Sequence, residues 1–291
     1  ASDVYKRQRL AVPLALVFFA CTGLPMLPGA AAADQDARPA ASVVLLDGVK
    51  WEPLNPARGD QSPQAGTLWG DRNGTNATGF LLKPVDGFRS PEHIHNVSYR
   101  GVLISGLIHN DDPGAADMWM PAGSFWTQPK GEAHITAARG ADTLAYIEIE
   151  SGPYLVHPAD EAFDSGERPI NVDASNLVWI GSPRTSSPED VARVAYLWGN
   201  PRGGYLNGRL VEIPTGYVGN SPGHSATLRV VVIQGTVRLM TDTATGADKL
   251  GPGSFLMLEA GLAPHLACET EGNCIVYVRT EGDFEFRAVE N

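Results

Sequence analysis

Short apolar segments recur along this chain, each cut off by Gly, Pro, Asn or Asp. Tyr99-Arg-Gly-Val-Leu-Ile-Ser105, Thr143-Leu-Ala-Tyr-Ile-Glu-Ile149, Leu228-Arg-Val-Val-Val-Ile-Gln234 and Cys274-Ile-Val-Tyr-Val-Arg279 are rich in β-branched and aromatic residues. Such residues suit a pleated, half-buried surface, and turn signals at these spacings predict an all-β sandwich or barrel. Only Ser187-Pro-Glu-Asp-Val-Ala-Arg-Val-Ala195 reads as a helix, with Pro188 at the first position after a serine cap.

The pattern is written twice. Leu68-Trp-Gly-Asp71 returns as Leu197-Trp-Gly-Asn200, Gly87-Phe88 as Gly216-Tyr217, and Gly101-Val-Leu-Ile-Ser-Gly106 as Val230-Val-Val-Ile-Gln-Gly235, all at an offset of 129 residues. Gly123-Ser-Phe125 returns as Gly253-Ser-Phe255, offset by 130. So constant a spacing predicts duplicated domains, about 42–160 and 175–291, with Gly166-Glu-Arg-Pro-Ile170 in the connection.

Composition narrows the class. A chain of 291 residues with 43% hydrophobic residues, 32 Gly and 22 Pro is turn-rich and globular, too apolar to be disordered. It carries 22 Lys+Arg against 33 Asp+Glu, a net charge of −11, and no basic block. Nucleic acid and anionic membrane surfaces are therefore not expected partners, since both require clustered cations to displace phosphate counterions.

The first residues read apart from the fold. Ala1 to Gln8 resembles non-native start sequence; Lys6, Arg7 and Arg9 then precede the apolar run Leu10 to Ala20, and Pro25 and Pro28 lead to Ala30-Ala-Ala-Ala33. This order predicts a signal peptide over residues 1–33, cleaved near Ala32 or Ala33, and hence an exported, periplasmic or secreted protein. The run is shorter than the ~20 residues of a spanning helix, so no stable membrane span is expected after cleavage. A lipoprotein reading through Cys21 is disfavoured by Phe18, which stands where a small aliphatic residue is usual. Losing Asp3, Lys6, Arg7 and Arg9 takes the charge to −13. Cys268 and Cys274 remain, flanking the turn-like Glu269-Thr-Glu-Gly-Asn273, and an oxidising compartment predicts a disulfide between them.

The candidate chemistry lies in the histidines. His93 and His95 stand two apart in Ser90-Pro-Glu-His-Ile-His-Asn-Val-Ser-Tyr99, and a strand period of two puts both on one face with Val97 and Tyr99. A third metal ligand must come from another strand, and His134, after the turn Gln128-Pro-Lys-Gly-Glu-Ala-His134, is the candidate. His109, in the turn-like Ile108-His-Asn-Asp-Asp-Pro113, reads as solvent-exposed, His157 beside Pro158 as structural or exposed, and Glu92 as pointing to the other face. Glu132 is not placed by alternation, and Gln128 reads as a pocket-mouth group behind the ligands.

These residues fall into a known spacing. Gly87-(five)-His93-Ile-His95-(three)-Tyr99-(six)-Gly106, then Gly123-(five)-Pro129-Lys-Gly131-(two)-His134-(three)-Ala138, resembles the two cupin signatures, with Tyr99 in place of Glu and Ala138 in place of Asn. The resemblance covers essentially the whole mature chain and implies an all-β bicupin, two tandem cupin jelly-roll barrels. Trp51-Glu-Pro-Leu-Asn-Pro-Ala-Arg-Gly-Asp60, Leu68-Trp-Gly-Asp71 and Ser90-Pro-Glu-His-Ile-His95 further resemble a bacterial cupin family of unassigned function (DUF4437-like). That family looks related to ChrR-type zinc-binding cupins and to the iron-dependent acetylacetone-cleaving dioxygenase.

What the resemblance implies is one divalent metal in the first barrel on His93, His95 and His134, Fe(II) or Zn(II) first, with Ni(II) and Mn(II) compatible. Three neutral imidazoles leave positions open for a small chelating ligand. Tyr99 either donates a hydrogen bond to that ligand or fills barrel volume. In the second copy His95 maps to His224, His93 to Pro222, Tyr99 to Leu228 and His134 to Pro264, with His265 one residue late. A one-residue slip turns a strand side chain to the opposite face, so the second barrel is expected to hold no metal. The expected activity is that of a non-haem iron dioxygenase on a small chelating substrate; the alternative is a non-catalytic, metal-dependent ligand-binding or sensor cupin. A homodimer, as cupins often form, is also expected.

Overall fold

The computed structural model describes residues 41–181, 191–221, 224–240, 249–262, 264–282 and 284–288. The expected leader (1–33), residues 187–190 of the expected helix, and Pro222 lie outside them. The described chain is almost wholly antiparallel β-structure in jelly-roll-like sheets. Among the described residues no helix is long and apolar enough to cross a membrane.

The N-terminal half is built on an eight-stranded sheet. Its path runs Ile170–Val172, Phe125–Gln128, Tyr99–Asp111, Ile135–Ile149, Thr78–Lys83, Gln64–Trp69 and Trp51–Pro53, with Met120–Pro121 paired to Tyr99–Asp111. A separate two-stranded sheet pairs His93–His95 with Val156–Pro158. The C-terminal half has a seven-stranded sheet, Ala41–Val44, Phe255–Leu258, Leu228–Gln234, Cys274–Glu281, Leu206–Ile213, Arg193–Gly199 and Ile180–Gly181, and a five-stranded one. The first described strand thus belongs to the second half: Ala41 pairs with Leu258 and Val44 with Phe255. Ile170–Val172 returns to the first, opposite Phe125–Thr127.

The expected helix is not formed where it is described. Arg193–Gly199 is a strand, with Val194 opposite Val211 and Ala195 opposite Leu210. Pairing to a central strand and the burial of Ala195 outweigh a cap signal, as tertiary context commonly overrides local propensity.

One apolar core joins the halves, with Leu81, Val102 and Tyr146 packed among Leu210, Val231 and Tyr277. A polar network runs through it at duplicated positions. Trp69 Nε1 donates to the Tyr146 hydroxyl at 3.0 Å, and Trp198 Nε1 to the Tyr277 hydroxyl at 2.9 Å. Both indoles lie against glycines: a Cβ on Gly79 or Gly208 would fall 2.1 or 2.0 Å from the indole nitrogen, so the pairing requires glycine there. Both tyrosine hydroxyls donate to the one carboxylate of Glu148, at 3.1 and 2.8 Å, and Arg279 bridges Glu148 and Glu150. Cys268 and Cys274 are joined by a disulfide, with sulfurs 2.06 Å apart.

Candidate metal centre

The histidine cluster follows from strand geometry. Within His93–His95 the two imidazoles share a face, while Ile94 points the other way into the protein. His134 lies directly across from His93: each amide donates to the other's carbonyl, at 3.1 and 3.0 Å. The intervening turn is pinned by the Gly131 amide, which donates to the His95 carbonyl at 2.9 Å. His93 and His134, 41 positions apart in sequence, are thereby set side by side, with ring centroids 4.2 Å apart.

One nitrogen from each ring, in His93, His95 and His134, lies within 4.8 Å of the other two. All three Nδ1 atoms face backbone carbonyls: His93 that of Pro91 at 2.9 Å, His95 that of Leu155 at 3.0 Å, His134 that of Glu132 at 3.1 Å. A carbonyl only accepts, so each Nδ1 carries the proton and each Nε2 presents a lone pair, the arrangement that orients imidazole on a metal. Nε2 of His134 is buried and has no hydrogen-bond partner. A buried acceptor left unpaired is costly, and a cation among the three nitrogens would satisfy it; the residues therefore fit a divalent ion.

The rings are also held neutral. Burial lowers His93 below its usual 6.5, the Pro91 carbonyl acting against this and the Arg58 guanidinium adding to it. Burial, then the neighbouring His134 and His93, put His95 well below that value. His134 is lowered to about 3 by burial and by His93, despite its bond to the Glu132 carbonyl. Neutral imidazole is the metal-binding form.

A cavity of about 300 Å³ opens beside the cluster, with Leu54, Leu82, Phe88, Trp126, Ile147 and Tyr154 among its walls. Tyr99, expected on the ligand face, is buried next to His95, with ring centroids 5.1 Å apart. Its hydroxyl is already committed: it donates to Asn110 Oδ1 at 2.8 Å, and Asn110 in turn donates to Gln128 Oε1 at 2.9 Å. Gln128 is accordingly buried behind the ligands, donating to the Glu132 carbonyl at 3.3 Å. Glu132 serves the cluster through its backbone; its carboxyl lines a separate surface cleft with Arg168. Glu92 is exposed.

His109 corrects the sequence reading. It is 1% exposed, within the strand Tyr99–Asp111, and its Nδ1 accepts from the Met118 amide at 3.2 Å. The strand runs on because register shifts around Ser105 and Gly106 let it bend, and the turn begins only after Asp111. Gly106 sits at φ 77°, where a Cβ would meet the Thr143 hydroxyl at 2.2 Å. His157 is half-exposed beside Glu161, opposite Ile94 and so away from the cluster.

The C-terminal half has no such group among its described residues. His224 spends both ring nitrogens on backbone carbonyls, those of Ala226 at 2.8 Å and of Leu262. His265 is on a strand opposite Asn220 and Met240. A cavity among its described residues has only about 20 Å³, lined by residues such as Leu228, Val230, Leu266, Val276 and Phe286. Two residues of the first site were not anticipated. Tyr154 stacks on His95 with centroids 4.5 Å apart, its hydroxyl 3.2 Å from Nε2. Arg58 lines the cavity; it stood in the Trp51 to Asp60 motif, but nothing local marked it as a pocket residue.

Solved structures share this fold at low identity. A Nostoc punctiforme protein proposed to be a dioxygenase aligns with a TM-score of 0.61 and 14% identity over 86% of this chain and 87% of its own. Streptomyces albus HEPD, solved with 2-hydroxyethylphosphonate and Fe(II), aligns at 0.53 and 10% over 84% and 76%. Bacillus subtilis oxalate decarboxylase aligns at 0.52 and 10% over 85% and 78%. These likenesses establish a cupin fold and nothing finer. No curated protein matches the chain in sequence. The sequence profile of the family described as "Domain of unknown function (DUF4437)" matches residues 42–287, and the chain belongs to that family.

Proposed function

We propose that the protein is an exported bicupin that holds one divalent metal on His93, His95 and His134 and acts, in its N-terminal barrel, as a non-haem iron dioxygenase-like enzyme on a small chelating substrate. The observation that carries this reading is the convergence of three neutral imidazoles, each fixed through Nδ1, on one point beside a roomy apolar cavity. Iron bound there would polarise a chelating substrate and activate dioxygen at its open positions.

The chain's own residues do the rest. The carbonyls of Pro91, Leu155 and Glu132 fix the ring orientations. In the metal-free site the Tyr154 hydroxyl, kept protonated by burial, donates to Nε2 of His95, a hydrogen bond that a bound ion would displace. Leu82, Phe88 and Ile147 exclude water from the ligand's body. The duplicated Trp–Tyr pairs support the bicupin reading, and the Fe(II) of the Streptomyces albus protein supports iron.

Among the described residues no carboxylate lines the cavity, which favours a second reading, a ligand-binding or sensor cupin without turnover. Metal analysis of protein purified without added metal, followed by oxygen uptake of the iron-loaded form with diketones and thiols, separates the two. Substrate-dependent oxygen consumption is expected; tight zinc with no turnover would overturn the enzyme.

A further inference from the structure

We infer that the cavity selects an organic monocarboxylate with an apolar body, and that Arg58 is the residue that selects it. The inference deepens the proposed function and rests on its reading of this cavity as the ligand site.

Arg58 is presented by a rigid turn. Within Pro56–Gln61, Asn55 Oδ1 accepts from the Ala57 amide at 3.1 Å, the Arg58 amide donates to the Asn55 carbonyl at 3.0 Å, and the Asn55 amide donates to Ser62 Oγ at 2.9 Å. The turn closes at Gly59 with φ 54° and ψ −133°, a backbone conformation that suits glycine. The guanidinium, partly buried, stands over the Phe88 ring with its carbon 5.0 Å from the centroid.

Among the described residues it has no carboxylate partner. Arg72, Arg100, Arg193 and Arg279, by contrast, are each ion-paired with glutamate. Among the described residues no Asp, Glu or Lys lines the cavity, and the one permanently charged side chain there is this cation, set among Leu54, Leu82, Pro91 and Ile147.

A guanidinium is a planar donor fork matched to a carboxylate, and less strongly hydrated than an ammonium. With apolar walls around it, the complementary molecule has a single planar anion and a branched or aromatic body. A neutral ligand would leave the fork without a partner inside a partly desolvated site, and in the metal-free protein a dianion would bring a second charge with no second cation to meet it.

Calorimetric titration tests this with isovalerate, phenylacetate and 3-phenylpropionate, each against its amide, on metal-free and zinc-loaded protein. In the metal-free wild type at least one carboxylate is expected to bind roughly tenfold more tightly than its amide, the effect of one charge-assisted hydrogen-bonded pair. Arg58→Gln should erase that preference and Arg58→Lys keep part of it, with circular dichroism unchanged. Amides that bind as well as the acids, or a preference that survives in Arg58→Gln, would overturn the assignment. Zinc stoichiometry on the same samples reports on the metal separately. One zinc per chain without a carboxylate preference removes Arg58 as selector and leaves the metal site; an Arg58-dependent preference without zinc uptake does the reverse.

Discussion

The Tyr154 hydroxyl donates to Nε2 of His95 across 3.2 Å and so occupies the lone pair that an ion between His93, His95 and His134 would take. Hydrogen bond and metal are mutually exclusive at that atom. Tyr154→Phe removes the competitor, and zinc affinity measured against a chelator is expected to rise roughly two- to tenfold, the equivalent of one neutral hydrogen bond. A fall in affinity would show that the hydroxyl supports the bound ion instead.

The two halves should respond differently to loss of a histidine. His134→Ala removes one of three ligands and is expected to weaken metal binding by more than about 100-fold, beyond what loss of an outer partner costs. His224→Ala should leave metal content unchanged. It should cost about 1–3 kcal/mol of stability, because the ring bridges the Ala226 and Leu262 carbonyls within the core. Metal analysis and denaturant unfolding read the two effects separately.

Acid should destabilise the metal-free protein early. His93, His95 and His134 all have folded-state values below 6.5, so below that pH the unfolded chain binds more protons than the folded one. Stability is therefore fully present above about 6.5 and is lost as pH falls from there toward about 3, the His134 value. Denaturation midpoints across that range should fall less steeply in His134→Gln than in the wild type.

Glu148 and Arg279 are 1% and 4% exposed and bonded across the two halves. Glu148→Ala leaves Arg279 with Glu150 alone and deprives both Tyr146 and Tyr277 of their acceptor. Breaking a buried pair on one side typically costs about 3–5 kcal/mol, and chemical denaturation at neutral pH should show a loss of that order.

The disulfide closes a short loop, the cysteines being six positions apart. Loop-closure entropy then amounts to about 2 kcal/mol, and the double variant Cys268→Ser, Cys274→Ser is expected to lose that much stability. Alkylation of the unreduced native protein should label neither thiol.

The β class and the histidine trio were legible because each rests on a short period: alternation along strands, and fixed spacings around Gly87, His95, Gly131 and His134. The disulfide was legible from two cysteines astride one turn. His109 was misread because Asn110-Asp-Asp-Pro113 carries turn chemistry, while the bend that keeps the strand going is set by Gly106 against Thr143, a contact 37 residues away. Tyr154 and Arg58 reach the cavity from loops whose local sequence has no period, so only the fold brings them to His95 and Phe88. The sharing of one carboxylate by Tyr146 and Tyr277 was equally hidden, since the duplication that repeats Trp69 as Trp198 places Arg279 at the counterpart of Glu148.

The pairing of Ala41–Val44 with Phe255–Leu258 means that no single cut near residue 175 divides the chain into two complete sheets. The leading fragment would carry an orphan strand, and the trailing one would bare the Phe255–Leu258 edge, a template for adventitious pairing. A C-terminal half without a ligand cluster among its described residues is in this way still bound up with the histidine-bearing half: removing it strands Ala41–Val44 and uncovers the apolar face that Leu210, Val231 and Tyr277 pack against.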